Sequence, residues 1–298
     1  MTANKTRSIG SHIAHIVFVC VFAVANEAGA ITIRVPQDYA TIQAAIDAAT
    51  DGDEIVVSPG VYVENINFRG RAIVLRSVSP TDSATVAATI IDGNYTGSVV
   101  TFAGTETAKA VLSGFTIRNG SASSGGGIFG NGTTARIEHN TITGNSASRL
   151  ENYGSQSAKG GALYGCHGTI QNNVITQNHV TAAAGIGGRA YAYGGALYYC
   201  NGTIQNNTIT GNSAKGHGVT HGDGYGYGGA LYRCNGMIQN NALWLMIVAQ
   251  KGTRAIQPMT KRDRPVRRTW REFDCASVRF RLDSEACAPA SRSCSCST

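Results

Sequence analysis

The residues best placed to do chemistry are tyrosines set at a fixed spacing. Tyr164, Tyr198 and Tyr232 recur every 34 residues, each at the end of a Gly-Gly-Ala-Leu-Tyr stretch. Just ahead of the last two stretches stand "YAY" and "YGY", so that Tyr191 and Tyr193 return as Tyr225 and Tyr227. Tyr153, in the connection one copy earlier, is read as a further member of the row, and Arg189 is in register with Asp223. A stripe of exposed phenol rings with Asn and His among them offers flat faces and hydroxyls that suit sugar rings. The same rings stacked on each other would instead stiffen the repeat. Both readings are carried forward.

Acid–base and metal chemistry have thinner material. Glycoside hydrolysis needs two carboxylates facing one bond. Eliminating lyases need acidic calcium ligands and a proton acceptor. From Gly93 to Asn241 the carboxylates are Glu106, Glu138, Glu151 and Asp223. Glu138 shares its repeat position with Gln171, Gln205 and Gln239, which marks a structural amide position. His217, His221 and Asp223 are a weak metal candidate, because spacings of four and two on a Gly-rich loop fix no geometry. His167 is replaced in register by Asn201 and Asn235, so it reads as a turn residue. No catalytic residue, metal site or cofactor is expected. Cys166, Cys200 and Cys234 are also 34 apart, which is not the close pairing of a zinc site. They are expected as stacked, buried, free thiols.

Composition narrows the class. The chain has 298 residues with 37 Gly, and 14% of residues are charged, well under the usual quarter. The net charge of +7 resides mostly after residue 242, where eleven Lys and Arg face five Asp and Glu. The repeat body is nearly neutral, which argues against a nucleic-acid partner. Lys5 and Arg7, the apolar run Ile16–Ala25 and the small residues Ala28–Ala30 read as a secretory signal over residues 1–30. The run is too short to span a bilayer, and no other span is visible. Export to the medium or the outer cell surface is expected.

A fixed period must be explained before anything else. Each repeat holds three short β-prone pieces, in the middle copy "GGALYYC", "GTIQNN" and "TITGN", bounded by Gly or Asn and too poor in helix formers to be helical. Such pieces predict a coil whose strands pair in parallel with the same strands one turn away, about 4.8 Å distant. Leu163, Leu197 and Leu231 should then stack inside, as should Ile170, Ile204 and Ile238. Asn172, Asn206 and Asn240 should form an amide ladder at a turn. A looser copy covers Gly125–Asn145, giving about five coils over residues 31–242. The stretch Asp38–Asp53 is an amphipathic helix, placed to cap the first coil. Long connections at 146–159, 179–193 and 213–227 should emerge on one face and carry the binding surface.

"TIQAAIDAATDGDEIVVSPGVYVENI" resembles the start of the pectin-lyase-like right-handed parallel β-helix proteins. The "ITGNSA…GGALY" repeats are similar to the coils of bacterial secreted β-helix proteins and polymorphic outer-membrane proteins. The resemblance covers residues 31–241. It implies an all-β, right-handed parallel β-helix, and it implies little about activity, since that fold hosts lyases, hydrolases, adhesins and spacers. "GHG" at 216–218 resembles a polygalacturonase motif, but the partner motifs of that family are missing. The paired aspartates of pectin methylesterases are missing too.

The functional expectation is a secreted or surface repeat protein, non-catalytic, contacting a polysaccharide or cell-surface ligand. The alternatives are a truncated polysaccharide-active lyase or hydrolase, and a purely structural stalk. After Asn241 the repeat breaks into "ALWLMIVAQKGTRA". A shifted reading of the codons for Trp244 to Ile247 permits a run close to the expected repeat. Residues 243–298 therefore read as an irregular basic tail, out of frame with a longer gene. An uncapped last coil would invite self-association.

Overall fold

A computed structural model of the chain describes residues 29–151, 154–185, 187–218 and 222–244. Residues 1–28 of the expected signal and 245–298 of the expected tail lie outside them, as do Tyr153 and His221. The described chain is a parallel β-helix: five sheets of stacked parallel strands and two short helices, α1 (Ile42–Ala48) and α2 (Ser83–Ala88). Among the described residues no helix is long and apolar enough to cross a membrane.

One repeat shows the path. Leu197–Tyr198 belongs to a six-stranded sheet, Thr203–Gln205 to an eight-stranded sheet, and Thr208–Thr210 to a seven-stranded sheet. These three, here the Leu, Ile-Gln and Thr-Ile-Thr sheets, enclose the main core. The chain then leaves the coil along Ser213–Gly218 and returns along Asp223–Tyr227. The outgoing and returning strands stack into sheets of four and three strands. The long connections are therefore a two-layered fin, not loops, and each full repeat has five strands where three were expected.

Alternation along each short strand sends one residue inward and its neighbours out. Ile33, Ile55, Leu75, Leu112, Ile137, Ile170, Ile204 and Ile238 align through successive pairs of the Ile-Gln sheet. Leu163, Leu197 and Leu231 align in the Leu sheet. The steps of the Ile-Gln series are 22, 20, 37, 25, 33, 34 and 34 residues, so the solenoid has more turns than the five expected. The early turns are shorter because they carry no fin, and the step of 37 accommodates α2. Burying one such aliphatic side chain fully is worth about 1.5–3 kcal/mol.

The fin has its own core of Ala147, Ala158, Val180, Ala182, Ala184, Ala190 and Ala192. Small residues let the two layers approach closely. In the last turn the inward residues become glycines: a Cβ on Gly224 would press against the Gly216 carbonyl oxygen.

The helix α1 is shorter than the expected 38–53. Thr41 caps it by accepting from the Ala44 N–H, and Glu64, just past the strand Gly60–Val63, accepts from the Ile42 and Gln43 N–H groups. Ile42, Ala45 and Ile46 are buried in the main core beside the first strands. At the far end, Ala242–Trp244 pairs in register with Thr208–Thr210, carrying the strand two residues past the expected boundary at 242.

The amide ladder is displaced by one residue from the expected position. Asn172, Asn206 and Asn240 have φ of 55, 55 and 52° and make the left-handed turn. The next residue points inward. The Asn173 Oδ1 accepts from the backbone N–H and the side-chain amide of Asn140. Its own amide donates to the Ile137 carbonyl and to the Asn207 Oδ1. Asn207 and Asn241 continue the series, and Asn145, Asn178 and Asn212 form a second one. Each inward amide satisfies backbone groups that the turn leaves unpaired inside the core.

Candidate functional site

The fin leaves the coil between the Thr-Ile-Thr and Leu sheets, so the outer faces of the returning sheet and the Leu sheet meet in a corner. Tyrosines line both walls. On the Leu wall Phe129, Tyr164, Tyr198 and Tyr232 stack at ring spacings of 5.3, 5.6 and 5.9 Å. On the fin wall Tyr191 stacks on Tyr225 at 5.3 Å and Tyr193 on Tyr227 at 5.2 Å. Across the corner Tyr193 reaches Tyr198 at 5.9 Å and Tyr232 at 5.0 Å, and Tyr227 reaches Tyr232 at 5.7 Å. The two rows expected from the sequence thus form one aromatic surface.

The faces of these rings are largely spent on each other. Tyr198 is only 7% exposed and Tyr227 is 37% exposed. Hydroxyls and ring edges therefore form most of the presented surface, a correction to the expected open faces: rungs at strand spacing leave no gap between successive rings. Burial, and then the neighbouring phenols, push the Tyr193 hydroxyl up to about 12. Burial likewise raises Tyr198 and Tyr227.

Cations flank the corner. Lys159, in register with Tyr193, places its Nζ 5.8 Å from the centre of the Tyr198 ring. The Arg233 guanidinium lies 6.0 Å from the Tyr232 ring. Farther out on the fin, Arg189 faces Asp223 at 4.0 Å, and the Tyr225 hydroxyl donates to the Asp223 Oδ2 at 3.0 Å. That hydrogen bond to Asp223 is the main cause of the raised Tyr225 hydroxyl. Arg189 and Asp223 thus stand beside the tyrosine row as their register implied.

Among the described residues the carboxylates do not converge. Glu106 is buried and accepts from the N–H groups of Gly70, Ala103 and Gly104. Glu138 is held by both its oxygens on Arg136 and accepts from Gln171. From there a head-to-tail amide chain runs through Gln205 to Gln239 at 2.8 Å per step. Glu151 pairs with Arg149. Asp92, missed in the sequence, is half of an ion pair with Arg118 and also accepts from Asn119 and the Asn94 N–H. Burial would raise its carboxyl, but these donors together hold it below the ordinary value.

Among the described residues no three His, Cys, Asp or Glu side chains come together to hold a metal. His217 sits on the outgoing strand, and its expected partner His221 lies outside the described residues. His167 is a turn residue whose Nδ1 accepts from the Asn201 N–H. Cys166, Cys200 and Cys234 are free thiols, each donating to the carbonyl two residues before it. Burial drives the Cys200 thiol well above its ordinary value.

One pair went unnoticed in the sequence: the His179 Nδ1 is 3.0 Å from the Ser213 Oγ on the outer face of the outgoing sheet. Register alone could have found it, since the two are 34 apart. Burial and the nearby Lys215 lower the His179 imidazole.

No protein-family model, curated protein or solved structure matches the chain. The fold defines it as a parallel β-helix repeat protein, and the geometry of the corner carries the rest of the functional argument.

Proposed function

We propose that the chain is an exported, non-catalytic β-helix of the pectin-lyase-like kind that holds an extended polysaccharide along its tyrosine corner. The observation that carries this reading is the meeting of two tyrosine rows in one concave angle, flanked by Lys159 and Arg233. A corner running along the stack direction suits a linear polymer. Phenol hydroxyls and cationic donors suit its hydroxyl and acidic groups. The basic start, apolar run and small residues of the first thirty positions support export.

The test is retention on immobilised polysaccharides of the parent and of Tyr193→Ala with Tyr227→Ala. Retention of the parent and loss in the double variant, with an unchanged circular dichroism spectrum, is expected. A parent that passes through every neutral and acidic matrix, or a double variant retained as well as the parent, sinks the reading.

Ring-on-ring packing favours a second role, stiffening of a stalk. Aromatic pairs contribute about 0.5–1.5 kcal/mol beyond their buried area. A stalk predicts that the same double variant melts at lower temperature while the parent retains no glycan.

A further inference from the structure

We propose that the corner is an oxidative cross-linking site, at which Tyr193 and Tyr232 join through a carbon–carbon bond when the protein meets a one-electron oxidant of the peroxidase class. The inference is independent of any glycan. Tyr193 stands on the returning sheet and Tyr232 on the Leu sheet, and their ring centres are 5.0 Å apart. Their backbones belong to different walls, and their rings lie 30° from parallel. In-register pairs such as Tyr191 with Tyr225 run parallel from neighbouring strands, at 5.3 Å and 12°. Parallel side chains bring their ring tips no closer than the strands themselves, about 4.8 Å.

The chemistry balances. Each phenol gives one electron and one proton to the oxidant. The two phenoxyl radicals couple at the ring carbons next to the hydroxyls. The two ring hydrogens then move to the oxygens as aromaticity returns. With hydrogen peroxide as terminal oxidant, two phenols lose two hydrogens and two waters form. Tyr227, 37% exposed and 5.7 Å from Tyr232, gives the oxidant an entry point. The product would fasten the fin to the coil.

The experiment treats the dilute, folded chain with a haem peroxidase and hydrogen peroxide, then maps tryptic peptides. Cleavage after Arg189, Lys215 and Arg233 puts Tyr193 on peptide Ala190–Lys215 and Tyr232 on Gly216–Arg233. Expected are monomeric protein lighter by two hydrogens, dityrosine fluorescence, and one linked pair made of these two peptides. Tyr193→Phe and Tyr232→Phe, which keep the ring packing, should each lose the linked pair, while Tyr191→Phe and Tyr198→Phe keep it. Loss in Tyr191→Phe or Tyr198→Phe instead, a product that is only intermolecular, or no dityrosine at all would overturn the proposal.

Discussion

At the residue scale, the doublet Asn-Asn shows what a sequence can and cannot say. That an Asn would turn the chain and another polar group would ladder was legible from the repeats. Which of the two does which was not, because both residue types are equal and only φ separates them: Asn172 is at 55°, and Asn173 is the buried one. The roles predict opposite responses. Asn173→Ala leaves the buried Asn140 N–H without its acceptor and removes the amide donated to the Ile137 carbonyl and the Asn207 Oδ1, a loss of about 1–3 kcal/mol, the cost of one orphaned buried group. Asn172→Gly suits a left-handed turn and should change stability by less than about 0.5 kcal/mol. Denaturant melts of both variants check this, and equal losses would refute the assignment. The tyrosines add a pH dependence. The Tyr193 phenol is raised from 10 to about 12, so the fold disfavours its ionisation. That stability is intact below pH 10 and is lost as pH rises through 12. An alkaline unfolding curve should steepen across this window, and Tyr193→Phe should flatten it.

At the element scale, the 34-residue copies announced the last turns, and the Leu and Ile ladders fell where period-two alternation placed them. The early turns were hidden because their steps vary with insertions such as α2, leaving no period to detect. The fin was hidden for a different reason. Its strands do alternate, as "RAYAY" and "DGYGY" show, but the inward residues are Ala and Gly. Residues this small carry little hydrophobic contrast, so the stretch reads as a loop although it builds two packed layers. Closeness of those layers makes the fin intolerant of volume. Gly224→Ala would press a methyl group onto the Gly216 carbonyl, and overpacking of this kind costs about 1–3 kcal/mol. Ser157→Ala, on the outer face of the returning sheet, adds no volume and should be neutral. A calorimetric melt that ranks the two the other way would mean that the layers can part.

At the scale of the whole molecule, each turn touches chiefly its two neighbours, so stability should be passed along the stack and not shared evenly. The cysteine ladder samples this from inside. Cys166 and Cys200 have no solvent exposure, whereas Cys234, one turn farther on, is half-buried, as are Leu231 and Ile238 around it. A thiol reacts as its thiolate and only when reached by reagent. The neighbouring Cys200 thiol, and then burial, raise the Cys234 thiol, which slows its labelling. Under native conditions Cys234 should still be alkylated first, with Cys200 and Cys166 following slowly. Peptide mapping by mass spectrometry separates them, since Arg189 and Lys215 place each on its own tryptic peptide. Ile204→Ala removes a core side chain from the turn of Cys200 and should speed its labelling more than that of Cys166. If all three thiols react together, and the substitution accelerates them alike, the solenoid opens as one unit and the nearest-neighbour account fails.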